Sequence, residues 1–251
     1  MTPDWASLRA RTLTDTDDYL VLDKPAGISV TGERHDTDLV RIAAAAGERV
    51  IPVHRIDKVT SGVVLLARST TAHGPLTRQF ALRTVDKSYL AITRSVGLPE
   101  HGVVDLPLAT GRKNRVRVAA PREEITMVDR RWTVPPAAVR PGAFASVTRL
   151  RRLWEGAGHT LVAAEPETGR RHQIRVHLAW IGHPIAGDPL FGACPGERTC
   201  LHAWRLAFDD ASGRRIRVQV EPGADFWSPV AAALSVDDRA ALLAAACELK
   251  P

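Results

Sequence analysis

The chain has 251 residues, 45% of them apolar, with a net charge of +6 and a pI near 9.7. That length can bury a core without staples, and three cysteines (Cys194, Cys200, Cys247) with no C-x-x-C pair argue against a disulfide framework and a zinc ribbon. No apolar run approaches membrane-spanning length and the N-terminus has no signal-peptide core, so a soluble cytoplasmic protein is expected.

Tyr19-Leu20-Val21-Leu22 reads as a buried strand, ended by Asp23-Lys24-Pro25-Ala26-Gly27. Residues 37–46 suit a short helix that stops at Gly47. Val63 to Ala67 is too short and too β-branched for a helix and reads as a strand. Leu76, Phe80 and Arg83 stand at helical spacing over 76–83, and Tyr89 to Thr93 reads as the next strand. Residues 110–145 hold Pro121, Pro135, Pro136 and Pro141 with weak periodicity, the pattern of a long, partly ordered insertion. Strands resume at 145–153 and 159–164, and a helix is expected over about 173–181, ended by Gly182 with Pro184 beyond it. Residues 201–208 and 214–220 read as a hairpin around Ala211-Ser212-Gly213, and the tail from Ser235 to Lys250 as a helix with an acidic first turn. Strands and helices alternate without a strict βαβ period. That predicts an α+β fold with a mostly antiparallel or mixed central sheet, in a single domain spanning 1–251.

The positive charge is unevenly spread. Between Thr110 and Arg152 stand eleven Arg or Lys against three acids (Glu123, Glu124, Asp129), an excess larger than that of the whole chain. Nearly all are Arg, whose planar fork suits phosphate and base stacking. A solvated loop in an Arg-rich, Lys-poor chain fits the same composition.

Three segments could carry chemistry. Asp57 lies in the turn before the strand at 63–67, where it is either a capping carboxylate or an ionised group held by Arg. Arg171 and Arg175 are four apart and share a face if helical, with Ile174, Leu178 and Ile181 as the apolar stripe. Tyr89 is either a core aromatic or a ring presented to a base. His172, His177 and His183 lack the HExxH spacing and have no acid between them, so a metal site is not expected. No dinucleotide fingerprint, phosphate-binding GxxxxGK[ST] loop or GxSxG elbow is present.

Taken together, these segments resemble the RluA-type family of RNA pseudouridine synthases. His54-Arg55-Ile56-Asp57-Lys58-Val59-Thr60-Ser61-Gly62 is similar to the HRLDxxTSG signature, with Ile for Leu. Gly169 to His177 is similar to GRxHQIRxH, Gly182 to Asp188 to GHPIxGD, Lys87 to Ala91 to KxYxA, and Val21 to Gly27 to the family's opening strand and turn. The motifs stand in the family's order over roughly residues 15–227.

The resemblance implies the pseudouridine synthase fold, with a sheet flanked by helices and loops around an active-site cleft. It implies isomerisation of uridine to pseudouridine in structured RNA, ribosomal or transfer, with no metal or other cofactor. Asp57 would be the essential carboxylate, attacking sugar or base or taking a ribose proton. Arg175 would be its basic partner, and Tyr89 the aromatic that stacks on uracil. Arg55 would fill the gap left by the flipped nucleotide, Ile185 would touch the base, and Arg171 and His172 would contact RNA. Two departures stand out: the basic insertion at about 112–145 is longer than the family pattern, and no S4-like domain is expected before the opening strand. A monomer suffices. The rival expectations are a catalytically silent RNA-binding protein of the same fold, a metal-dependent hydrolase built on His54 and Asp57, and a structural ribosome-associated domain.

Overall fold

A computed structural model describes residues 3–32, 38–111, 115–192 and 197–248. Thr37 of the first expected helix, Arg112 and Lys113 of the insertion, Cys194, and Lys250 of the tail lie outside them. In chain order the first elements are α1 (Trp5–Arg9), β1 (Thr12–Asp15), β2 (Tyr19–Lys24), α2 (Leu39–Ala45), β3 (Ile51–Pro52), β4 (Ser61–Ala67) and α3 (Thr70–Leu82). Then come β5 (Asp86–Thr93), β6 (His101–Asp105), β7 (Leu108–Thr110), β8 (Val116–Val118), β9 (Thr126–Val128) and β10 (Arg131–Thr133). The rest are β11 (Val147–Gly156), β12 (His159–Pro166), α4 (Gln173–Trp180), β13 (Leu201–Asp209), β14 (Arg215–Gln219), α5 (Ala224–Trp227) and α6 (Val236–Glu248).

The chain divides into two units, one of residues 1–89 with 201–222, the other of 90–200 with 223–251. In the first, the strand order is β1-β2-β4-β13, with β3 added to β4 and β14 to β13. β4 and β13 run parallel, and the other pairs are antiparallel. The sheet is therefore mixed but mostly antiparallel, as the alternation of elements predicts.

The apolar runs of β2 and β4 follow from cover on both faces of the sheet. Side chains alternate across a strand. Leu20, Leu22, Val64 and Leu66 join Trp5, Leu8, Ile28, Leu39 and Ile56 on one side. Tyr19, Val21, Val63, Leu65 and Ala67 join Leu76, Leu206 and Phe208 on the other. α3 begins six residues before the expected 76–83, because Ser69 caps it by accepting the Ala72 N–H at 3.1 Å. Gly74 and Pro75 hide that first stretch from a periodicity reading.

In the second unit the order is β12-β11-β6-β10-β9, with the far half of β5 beside β12, and β7 and β8 form a separate ribbon. The insertion is more regular than its sequence suggests. β9 and β10 make a hairpin through Asp129 and Arg130, both at positive φ (48° and 62°), and β10 runs parallel to β6. Trp132 anchors it: a Cβ on Gly102 would lie 2.6 Å from the indole, so only glycine lets the ring down. The tail helix α6 opens with a reciprocal cap. Ser235 Oγ accepts the Asp238 N–H at 3.1 Å, and Asp238 accepts the Ser235 N–H at 3.2 Å.

Candidate active site

The turn that carries Asp57 is fixed on both sides. Ile56 is 5% exposed and belongs to the core cluster under β4. The Thr60 N–H donates to the Asp57 carbonyl at 3.0 Å, and the Gly27 N–H donates to the Lys58 carbonyl at 2.7 Å. The second bond ties the turn to the Pro25–Gly27 turn after β2. Lys24, fully buried, holds that neighbouring turn closed by donating to the carbonyls of Pro25 (2.8 Å) and Ile28 (2.7 Å). Asp57 itself is half-buried, between exposed Arg55 and exposed Lys58.

The residues that follow explain Thr-Ser-Gly. Ser61 Oγ lies 2.7 Å from His202 Nδ1, while His202 Nε2 lies 2.9 Å from the Val220 carbonyl. A carbonyl can only accept, so Nε2 carries the proton and Nδ1 accepts from the serine. Gly62 pairs with Ala203 of β13 at φ +109°, where a Cβ would lie 2.8 Å from the Ala203 C and N atoms. Sequence alone does not single out His202: its Leu-His-Ala setting in a strand gives no sign of a partner 141 residues away.

His54 is structural. Its Nε2 accepts the Leu65 N–H at 3.0 Å, and its ring stacks on Phe80 with centroids 4.8 Å apart. Burial, helped by the charge of Lys87, drops its pKa from 6.5 to about 3, so it is neutral. Its place in the strand ladder leaves no lone pair on Nε2 for a metal. Among the described residues no group of three or more His, Cys, Asp or Glu is placed to hold a metal ion.

Tyr89 stands on β5 and packs against the cluster that contains Ile56. Burial, and after it the negative charge of Asp57, holds the phenol well above its ordinary pKa. Tyr89 therefore feels the charge of Asp57 and is a protonated phenol at neutral pH. It is equipped to stack and to donate a hydrogen bond, and the resting protein holds no phenolate base there.

The Gly-Arg-Arg-His-Gln-Ile-Arg stretch lies in the second unit. Gln173 is its fastener. The Gln173 amide oxygen accepts from Thr168 Oγ1 (2.7 Å) and the Arg170 N–H (3.0 Å), and its amide nitrogen donates to the Val147 carbonyl (2.9 Å) and Thr148 Oγ1 (3.0 Å). His172 sits at φ 58° as the helix N-cap, with its ring 5.8 Å from that of Phe191. Two expectations need correction. Arg171 precedes the cap and is exposed while Arg175 is buried, so they share no helical face. α4 is also buried on all sides from Gln173 to Ala179, so Ile174, Leu178 and Ile181 form no one-sided stripe.

Within this unit Arg175 is forked by Asp188, with Nε–Oδ2 at 2.8 Å and Nη2–Oδ1 at 2.7 Å, and its guanidinium lies 5.3 Å over the Phe191 ring. Asp188 closes the Gly-His-Pro-Ile-Ala-Gly-Asp motif, and its spacing alone points to no role. Ile185 of the same motif bridges Thr93 at the end of β5 and is 2% exposed. Arg122, from the insertion, donates to the Trp180 carbonyl at 3.1 Å and to that of Ala179, capping the C-terminus of α4.

His177 is tied on both nitrogens, Nδ1 to Thr148 Oγ1 (2.9 Å) and Nε2 to the Leu106 carbonyl (3.0 Å), and burial lowers its pKa from 6.5 to about 4. The unfolded chain takes up a proton below pH 6.5 that the folded chain refuses until about pH 4. The stabilisation is therefore complete above pH 6.5 and lost as pH falls through that window, at up to about 1.4 kcal/mol per pH unit. Urea titrations from pH 7 to 4 are expected to show a shallower slope for His177→Asn than for the parent protein; parallel slopes would exclude His177 as a source.

The RNA pseudouridylate synthase family model matches residues 18–180, from β2 through α4 and across the turn of Asp57. The chain belongs to the RNA pseudouridylate synthase family. A ribosomal large subunit pseudouridine synthase D from Nitrosomonas europaea is 35% identical over 213 residues, 77% of this chain and 56% of that protein. The chain thus spans little more than half the length of that relative. An uncharacterized RNA pseudouridine synthase from Zymomonas mobilis is 36% identical over 79% of this chain and 87% of its own length. The human RNA pseudouridylate synthase domain containing 4 superposes with a TM-score of 0.72 at 25% identity, covering 90% of this chain and 93% of that one. Pseudouridylate synthase folds are thus its structural neighbours, and the mixed sheet with flanking helices is the family's α+β architecture. Among the described residues no helix is long and apolar enough to cross a membrane.

Proposed function

We propose that the protein isomerises specific uridines to pseudouridine in structured RNA. The observation that carries this reading is the half-buried Asp57, held at the head of β4 by Ile56 and Thr60, with its charge felt by the protonated phenol of Tyr89. The target nucleotide is flipped from its stack, and its uracil lies against the Tyr89 ring. The C1′–N1 bond breaks, the uracil turns, and a C1′–C5 bond forms; C5 gives up its proton and N1 gains one. Asp57 is the essential carboxylate and Arg175 the basic group that the reaction requires. Arg55, Arg171, His172 and Ile185 are proposed contacts to the RNA. The isomerisation is neutral in redox and hydrolysis, so it calls for no cofactor. The relatives named for the ribosomal large subunit support ribosomal RNA over transfer RNA as substrate. We place the protein in the cytoplasm as a monomer.

The test is release of tritium from structured RNA labelled at uridine C5. Tritium appearing in water in step with pseudouridine is expected; a folded protein that releases none from ribosomal or transfer RNA would contradict the reading.

The insertion is proposed to grip phosphate near the target. Two of its arginines are already engaged: Arg122 caps α4, and Arg131 pairs with Asp105 at 2.7 Å. Arg115, Arg130 and Arg140 are exposed and make no side-chain hydrogen bond or ion pair among the described residues. Arg130→Glu with Arg140→Glu is expected to weaken RNA binding and to flatten log Kd against log salt by about one unit per lost contact. Unchanged affinity across salt would make the insertion a bystander.

A further inference from the structure

The two motifs around α4 meet in one ion pair. Arg175 and Asp188 are thirteen residues apart, and their side chains are 3% and 0% exposed. The carboxylate takes both hydrogens of the Nε–Nη2 edge, and its Oδ1 also accepts the N–H groups of Leu190 (2.9 Å) and Phe191 (3.2 Å). With the Phe191 ring over the guanidinium plane, the arginine is fixed both in its plane and by its face.

Asp188 is itself rigidly placed. Gly187 has φ +70°, and a Cβ there would lie 2.6 Å from the Arg198 carbonyl carbon, so the backbone turns tightly against the neighbouring segment. Thr199 Oγ1 donates to the Gly187 carbonyl at 2.9 Å, and Ala186 is bonded on one side to Ile92 and on the other to Cys200, both at 2.9 Å. Asp188 therefore stands at the end of a turn bolted to β5 and to the segment before β13.

Stability alone does not account for this arrangement. A buried ion pair is often no more stabilising than apolar residues of the same volume. What a bidentate carboxylate adds is direction: a lysine or a monodentate partner would leave the cation free to pivot. We infer that Asp188 is a positioning residue, which fixes the Arg175 guanidinium in the orientation the isomerisation uses. This rests on the reading that Arg175 takes part in the reaction.

The experiment measures single-turnover tritium release and RNA affinity for Asp188→Asn, Asp188→Glu and Arg175→Lys. Asp188→Asn keeps the shape and one acceptor but loses the charge and half of the fork. It is expected to bind RNA within about twofold of the parent and to react about 10- to 100-fold more slowly, the scale of a small misplacement. Asp188→Glu keeps the charge but moves the carboxylate by a methylene. It is expected to fold and still react more slowly, and it decides the matter if Asp188→Asn does not fold. A purely structural charge would be satisfied by Glu, so a parent-like rate for Asp188→Glu, or for folded Asp188→Asn, would overturn the inference. Arg175→Lys separates the two levels. If it is slow while the Asp188 variants are fast, only the positioning role fails; if it reacts at the parent rate, the role of Arg175 fails and the inference with it.

Discussion

Asp57→Asn is expected to abolish pseudouridine formation, by a factor of about a thousand or more, while leaving the protein folded and bound to RNA. The substitution keeps the volume of a half-buried side chain, and the backbone bond from Thr60 to the Asp57 carbonyl does not involve the carboxylate. The packing that places it, Ile56 in the core and the Lys58 carbonyl on Gly27, is also untouched. What disappears is the negative charge, which a nucleophile or a base must supply and a neutral amide cannot. Thermal melting and gel-shift affinity near those of the parent, together with no detectable tritium release, are the expected results. Release at the parent rate would remove Asp57 from the reaction.

Gly62→Ala is expected to have the largest effect on the fold. A methyl group at that position would lie 2.8 Å from the Ala203 C and N atoms and closer still to the carbonyl oxygen, all backbone of β13. None of these atoms can rotate away, as the end of a side chain could. The residue also holds φ at +109°, which an L-residue adopts only under strain. Overpacking and backbone strain together cost about 2–5 kcal/mol, a large part of a typical domain's stability. The strands can relieve the clash only by separating, which would loosen Ser61 from His202 and free the turn of Asp57. Chemical denaturation should report the loss. A midpoint within experimental error of the parent would show that β4 and β13 have room to move.

Much of the first unit is legible in the sequence because its signals are local. The apolar runs at 19–22 and 63–67 become β2 and β4, and the polar turn between His54 and Gly62 carries Asp57 at the head of β4. The hairpin at 201–220 forms with Arg205 opposite Gln219 and Asp209 opposite Arg215. The losses have a common cause in tertiary context. Arg171 and Arg175 look equivalent by spacing, yet the helix starts between them, and only the N-cap at His172 shows this. A helix buried on every side gives no amphipathic period to read. The insertion looks irregular because its strands are three residues long and its order depends on Trp132 descending onto Gly102. Ser61 with His202, and Arg175 with Asp188, are pairings that no spacing rule announces, since the fold chooses which polar groups meet.

The most direct test is to map pseudouridine across total RNA from cells with the gene, without it, and with the gene carrying Asp57→Asn. One or more sites are expected to vanish on deletion, return with the parent gene, and stay absent with the Asn variant. Identical maps in all three cells, or sites restored by Asp57→Asn, would contradict it.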